Sequence, residues 1–380
     1  MHATRARTEP TTLRAIIAER IRARGPITFA EYMEACLYHP EHGYYSKAQQ
    51  EPRRDYFTSV DAKPLFGRLL ARQFQEMWEK LGQPEEFLLV EAGAGSGALA
   101  AQILDFAAAQ FPEFYARLRY VTVERSAARR AAQSEALRPH LAGNHCVIAS
   151  ELPAEVACGC IFSNELCDAM PVHRVIRERD DLRELYVDAG PSGLGELSGP
   201  LSSAAVREYF KEQGIALEEG QHAEANLQAG EWIAEAGKRL RRGFLLTIDY
   251  GHEASELYDQ RHMRGTLLAY QRHRASEDFF RAPGEQDLTA HVNFTALDRW
   301  GRRSGLARTG FTSQCNFLMA LARRSGFADL QSAEMSEAEG ARARLLFKTL
   351  IYPEGMGETF QVFVQRKNIE APRLAGLEPL

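Results

Sequence analysis

The stretch from Phe87 to Gly97 constrains the fold of this 380-residue chain more than any other, reading Phe-Leu-Leu-Val-Glu-Ala-Gly-Ala-Gly-Ser-Gly. Its opening residues are apolar and branched enough for a buried parallel strand. Glu91 closes the run, glycines follow at 93, 95 and 97, and Ala98-Leu99-Ala100-Ala101-Gln102-Ile103-Leu104 reads as a helix. Strand, glycine turn and helix make half of a βαβ unit. Glycine puts no Cβ between backbone and ligand and tolerates positive φ. The helix beyond offers unpaired N–H groups to whatever lies over the turn. A nucleotide-type ligand is expected here.

Two patterns compete for that ligand. Gly93-x-Gly95-x-x-Ala98 satisfies a loose dinucleotide fingerprint. Glu91-x-Gly93-x-Gly95-x-Gly97 satisfies the pattern of S-adenosylmethionine (SAM) methyltransferases, where the acid ends the strand itself. A second acid discriminates between them. A dinucleotide site needs a ribose-binding acid about 20 residues past the glycines, and Glu113 there lies between helix and strand. Instead Tyr120-Val121-Thr122-Val123-Glu124 forms a second strand ending in acid. Glu124 is placed to take both ribose hydroxyls while the glycine turn holds the methionine part.

A formal net charge of −5 argues against a nucleic-acid footprint. No apolar run approaches the ~20 residues that span a bilayer, so membrane insertion is not expected. Arg5, Arg7 and Arg14 before an amphipathic helix have one feature of a transit peptide, but Glu9 and the short length favour an ordinary N-terminal segment. Six cysteines are too sparse for a disulfide scaffold, and Cys158-Gly-Cys160 lacks the second pair a zinc site needs. No metal is expected, although His39 and His42 stand at i, i+3. A reduced, cytoplasm-like compartment follows.

Helices are expected over 12–24 and 29–37, the second with Thr28 and Glu31 as a capping box, and from Asp61 to Trp78. Ala127–Leu137 reads as another helix and Cys146–Ala149 as a third strand. The fourth strand, Cys160–Ser163, runs into Asn164-Glu165-Leu166-Cys167-Asp168. In an open parallel sheet, ligand chemistry lies beyond the carboxyl ends of the strands. Asn164, Glu165 and Asp168 are therefore candidate catalytic residues on the acceptor side, while cap and turn roles for Asn164 and Asp168 stay open. A hairpin is expected from Val172–Ile176 and Leu182–Val187, then a Gly/Pro/Ser loop over 190–200 and two helices, with Gly243 stopping the second. Phe244–Gly251 restores the buried-strand pattern and again ends in acid and glycine. Arg272, His273 and Arg274 form a basic knot, and His291 is a candidate base or a cap.

Longer strings carry a resemblance over nearly the whole chain. Pro26–Met33, Tyr38–Tyr45, Asp55–Ser59, Glu91–Gly97, Ser163–Arg174, Asp249–His252, Gly265–Arg274 and Asp287–Leu297 resemble the MidA-like methyltransferase family, in that family's order. The resemblance implies an α/β class I SAM-methyltransferase (Rossmann-like) sheet with an N-terminal helical segment and inserted and C-terminal subdomains. It implies SAM as cofactor, with contacts at Gly93, Gly95, Gly97 and Glu124 beside the motif acid Glu91. Mitochondrial members of the family are protein arginine methyltransferases needed for assembly of respiratory complex I. That implies a protein substrate, and a bacterial-type cytoplasm or, in a eukaryote, the mitochondrial matrix. Asn293 stands where the family has Asp, and Cys315 where it has Gly.

The boundaries expected are 1–60 for the helical segment, 61–171 and 241–275 with a terminal strand at 358–367 for the core, 172–240 for an insertion, and 276–357 for a C-terminal helical subdomain. Insertions of that size exceed what a small-molecule acceptor requires. The rival reading is a non-enzymatic assembly chaperone that keeps the SAM fold as a scaffold. The intact glycines and Glu124 count against it.

Overall fold

The computed structural model describes residues 12–46, 64–191, 193–272, 274–330, 336–352 and 359–379. Arg5, Arg7, Glu9, the Asp55–Ser59 string, the helix start at Asp61 and His273 lie outside those residues. The chain divides into two compact units. One comprises residues 57–168, 228–257 and 291–380, the other 1–56, 169–227 and 258–290.

The first unit is built on strands β1 (Phe87–Ala92), β2 (Leu118–Val123), β3 (Cys146–Ala149), β4 (Gly159–Asn164), β5 (Gly243–His252), β6 (Ala307–Ser313) and β7 (Phe360–Lys367). They lie side by side in the order β3-β2-β1-β4-β5-β7-β6. The first five are parallel, β7 runs antiparallel to β5, and β6 antiparallel to β7. The short strand Val292–Asn293 continues parallel beside the end of β5. Helices cover the faces, which is why the strands read as nearly unbroken apolar runs. Helix α1 (Leu65–Lys80) buries Leu65, Phe66, Leu69, Leu70, Phe74 and Met77 at helical spacing. Helix α2 (Ala98–Gln110) buries Leu99, Ile103, Leu104 and Ala107. Phe74 and Phe162 meet with ring centroids 4.9 Å apart, and each ring lost from water contributes about 1.5–3 kcal/mol. Gly243, expected to stop a helix, instead opens β5. A Cβ there would fall 1.9 Å from the Gly159 carbonyl oxygen, so close strand approach explains the glycine.

The second unit gathers three stretches distant in sequence. Helices Leu13–Arg24 and Phe29–Tyr38 form as expected, the second with its Thr28–Glu31 capping box intact. Between them Ile27–Thr28 pairs antiparallel with Tyr186–Val187. Strands His173–Glu178 and Asp181–Gly190 make the hairpin, turning through Arg179 and Asp180 at φ of 50° and 64°. Two successive positive φ values match the twist of a tight hairpin. The 190–200 stretch is not a loop, because Gly193–Gly199 pairs along Asp181–Gly190 through its backbone. A separate sheet of Leu268–Gln271, Arg274–Ser276 and Asp287–Thr289 completes the unit. Its core includes Ile17, Phe29, Tyr32, Val187, Phe279 and Leu288.

This partition differs from the boundaries read off the sequence. The N-terminal helices, most of the 172–240 stretch and residues 258–290 share one core, while residues 228–257, with most of helix Leu227–Arg239, and the C-terminal helices belong to the unit of the large sheet. Local pattern cannot register pairings such as Ile27 with Val187, which join residues far apart in the chain. Among the described residues no helix is long and apolar enough to cross a membrane.

Candidate active site

Past Ala92 the chain turns through Gly93, Gly95 and Gly97 at φ of 72°, 53° and 79°. The three glycines serve different ends. A Cβ on Gly93 would lie 2.9 Å from Leu166 Cδ1, and one on Gly97 would lie 3.0 Å from Gln133 Cγ. One on Gly95 would come no nearer than 4.0 Å, to Arg129 Nη1. Gly95 is thus the point where the turn's backbone is open to a ligand. Glu124, directly after β2, accepts the Gly95 N–H on Oε2 at 3.0 Å and the Ser126 N–H on Oε1 at 2.8 Å. Gln133 Nε2 donates to the Gly95 carbonyl at 2.8 Å. Strand-end acid and glycine turn are therefore brought together, as the SAM pattern requires. Glu113, the acid a dinucleotide site would need, lies inside helix Pro112–Arg117.

Glu91 sits differently, buried within β1 with Tyr120 Oη donating to its Oε2 at 2.6 Å. Burial pushes its carboxyl up to about 8; the Tyr120 hydrogen bond opposes this and the Glu124 charge adds to it.

Beyond β4 the chain bends at Glu165, a non-glycine residue at φ 52°. Asn164 Nδ2 donates to Glu165 Oε1 at 3.0 Å, and the buried Asn164 Oδ1 has no hydrogen-bond partner among the described residues. Leu166 lies against Gly93, so the Asn164–Asp168 loop and the glycine turn are neighbours. Asp168 is buried and accepts a 2.5 Å hydrogen bond from Tyr250 Oη. The three acceptor-side candidates thus stand on one loop beside the ligand turn.

Two residues of this neighbourhood were visible in the sequence but given no role in the site. Asp249, wholly buried, accepts the N–H groups of Leu166 at 3.2 Å and Cys167 at 2.8 Å on Oδ2. Burial pushes its carboxyl well above the usual range, and the charges of Asp168 and then Glu165 add to this against the pull of the Cys167 N–H. Tyr250 follows it. The acid ending the fifth strand was visible, and parallel pairing of β5 with β4 is what converts it into a neighbour of Glu165. His291 meets the Tyr250 ring edge-on at 5.5 Å and lies 5.5 Å from the His252 ring. Asn293 caps helix Phe294–Arg303 by accepting the Ala296 N–H at 3.0 Å, a task Asp performs equally well. Cys315 falls in the first turn of helix Gln314–Arg324.

A seven-stranded sheet in this order, with an acid–glycine turn after β1 and a second acid after β2, defines a class I SAM-dependent methyltransferase. The open backbone at Gly95 fits that cofactor, since any side chain there would fill the space over the turn. The chain belongs to the family whose model, described as "Putative S-adenosyl-L-methionine-dependent methyltransferase", matches residues 69–312. The resemblance to MidA-like proteins holds. Among curated relatives, the mitochondrial protein arginine methyltransferase NDUFAF7 of Danio rerio is 30% identical, over 91% of this chain and 85% of that one. The Homo sapiens protein of the same name is 29% identical, over 90% and 81%. A crystal structure from Burkholderia thailandensis bound to S-adenosyl-homocysteine is 31% identical with a TM-score of 0.85, covering 96% of this chain and 94% of that one.

Proposed function

We propose that this methyltransferase modifies arginine in a protein substrate. In this reading Gly93, Gly95, Gly97 and Glu124 hold SAM, Glu91 supports the turn from within β1, and Asn164, Glu165 and Asp168 face the acceptor. The observation that carries it is the contact of the acidic loop with the glycine turn through Leu166 and Gly93. Relatives named as protein arginine methyltransferases support the choice of acceptor.

Bound at the turn, SAM supplies an electrophilic methyl on a sulfonium. The work left to the chain is alignment and charge. A guanidinium stays protonated and delocalised at physiological pH, so it is a poor nucleophile and an attractive guest for carboxylates. Glu165 and Asp168 draw it in and hold one nitrogen in line with the methyl. They also offset the positive charge that passes from sulfur to nitrogen as the S–C bond breaks and the N–C bond forms. The Asn164 amide oxygen adds an uncharged acceptor for a further N–H. The proton displaced from the methylated nitrogen leaves to solvent. Following the resemblance to the MidA-like family, we place the substrate among respiratory complex I proteins under assembly. The setting is reduced, a bacterial cytoplasm or a mitochondrial matrix, where the free cysteines stay thiols.

The test uses tritium-labelled SAM and cell lysate as acceptor. Asp168→Asn and Glu165→Gln should each retain SAM affinity while losing methyl transfer, the signature of groups that act in the transition state. Hydrolysis of the labelled protein should release methylarginine. Label in lysine or in nucleic acid would overturn the acceptor, and full activity in both variants would remove the two carboxylates from the reaction.

A further inference from the structure

Three residues in the second half of β5 grip the acidic loop one after another. Ile248 accepts the Glu165 N–H on its carbonyl at 3.0 Å. Asp249 Oδ2 accepts from Leu166 and Cys167, and its Oδ1 accepts the Tyr250 N–H at 3.0 Å, which fixes the plane of the carboxyl group. Tyr250 Oη donates to Asp168 Oδ2 at 2.5 Å. Three consecutive residues of one strand thus hold four consecutive residues of a loop more than eighty positions earlier in the chain. The bend they hold is one the loop does not favour by itself, since Glu165 is a side-chain-bearing residue in the left-handed region. Tyr250 is in turn fixed by packing, with its ring edge-on to Phe360 at 5.4 Å and to His291 at 5.5 Å.

We propose that Asp249 and Tyr250 are positioning residues of the transfer reaction: Asp249 sets the backbone that presents Glu165, and Tyr250 aims the carboxylate of Asp168. This rests on reading Glu165 and Asp168 as the acceptor-side carboxylates. By engaging one oxygen of Asp168, the Tyr250 hydroxyl restrains the plane of the carboxyl group and the face it offers a guanidinium. Asp249 works through the two loop N–H groups it holds.

Tyr250→Phe deletes one oxygen and keeps the ring packing. Tritium transfer from labelled SAM into a fixed lysate preparation should fall about 10-fold or more, the scale of a charge-assisted hydrogen bond. SAM affinity by calorimetry should stay at its wild-type value. Because Tyr250 acts through Asp168, Tyr250→Phe in an Asp168→Asn background should slow transfer no further than Asp168→Asn alone. A merely structural role would instead add its loss to that of Asp168→Asn. At the second residue, Asp249→Asn keeps an acceptor oxygen and should retain more activity than Asp249→Ala at equal SAM affinity. An impaired Asp168→Asn beside a wild-type rate in Tyr250→Phe overturns the inference and leaves the acceptor reading standing. Additive losses in the double variant overturn it as well. A fully active Asp168→Asn removes both together.

Discussion

The carboxyl of Glu91 makes the stability of the core unit depend on pH in a way that can be worked out beforehand. It ionises at about 8 in the folded chain, against an ordinary value of 4.5. Between those values the folded state keeps a proton that the unfolded state has released, so stability falls as pH rises. The contribution is fully present below about 4.5 and is lost as pH passes through about 8. The slope is about 1.4 kcal/mol per pH unit inside that window. Glu91→Gln carries a neutral side chain of the same shape at every pH, with an amide oxygen still able to accept from Tyr120 Oη. Whatever constant offset the amide introduces, the difference between variant and wild type should shift in the variant's favour by about 3 kcal/mol from pH 5.5 to 8.5. All three tryptophans, Trp78, Trp232 and Trp300, belong to the core unit, so intrinsic fluorescence during urea unfolding reads this unit directly. Parallel stability curves for the two proteins across that range would refute the reasoning, because Glu91 would then be either solvated or already charged.

Gly95→Val should abolish SAM binding while the core stays folded, because a Cβ there would meet nothing nearer than 4.0 Å in the protein and the branched side chain would take up the ligand's space. The left-handed backbone costs about 1–2 kcal/mol, visible in the melt, and wild-type SAM affinity by calorimetry would refute the placement. Glu124→Ala should weaken SAM roughly 10- to 150-fold, from the loss of charge-assisted hydrogen bonds worth about 1.5–3 kcal/mol and of the tie to Gly95 N–H. A titration showing less than about a twofold change would mean that the ribose is held elsewhere.

What the sequence disclosed and what it withheld divide along sequence distance. The glycine turn was legible because an apolar run, an acid and alternate glycines are neighbours in the chain and each has a local physical meaning. Glu124 was legible because the same strand-then-acid pattern recurs one βα unit later, and parallel pairing of β1 with β2 places it beside Gly95. Asn164, Glu165 and Asp168 were found by a rule about strand ends that needs only the strand to be recognised. The roles of Asp249 and Tyr250 depend instead on register. Thr247 lies opposite Ser163 and Ile248 opposite Asn164, so the two residues past that pairing come abreast of the bend at Glu165. No periodicity in either segment states that offset. The 190–200 stretch failed for a related reason: glycine and serine there signal a turn locally, yet a strand held by backbone hydrogen bonds to Asp181–Gly190 needs little from its own side chains. Nothing near residue 27, likewise, announces a partner at residue 187, and the N-terminal helices therefore read as a segment apart. Pairing also explains why an acid as deeply buried as Asp249 persists. Its carboxyl group answers the N–H groups of Leu166 and Cys167, which leave the ladder where the loop departs from β4 and would otherwise lack a partner.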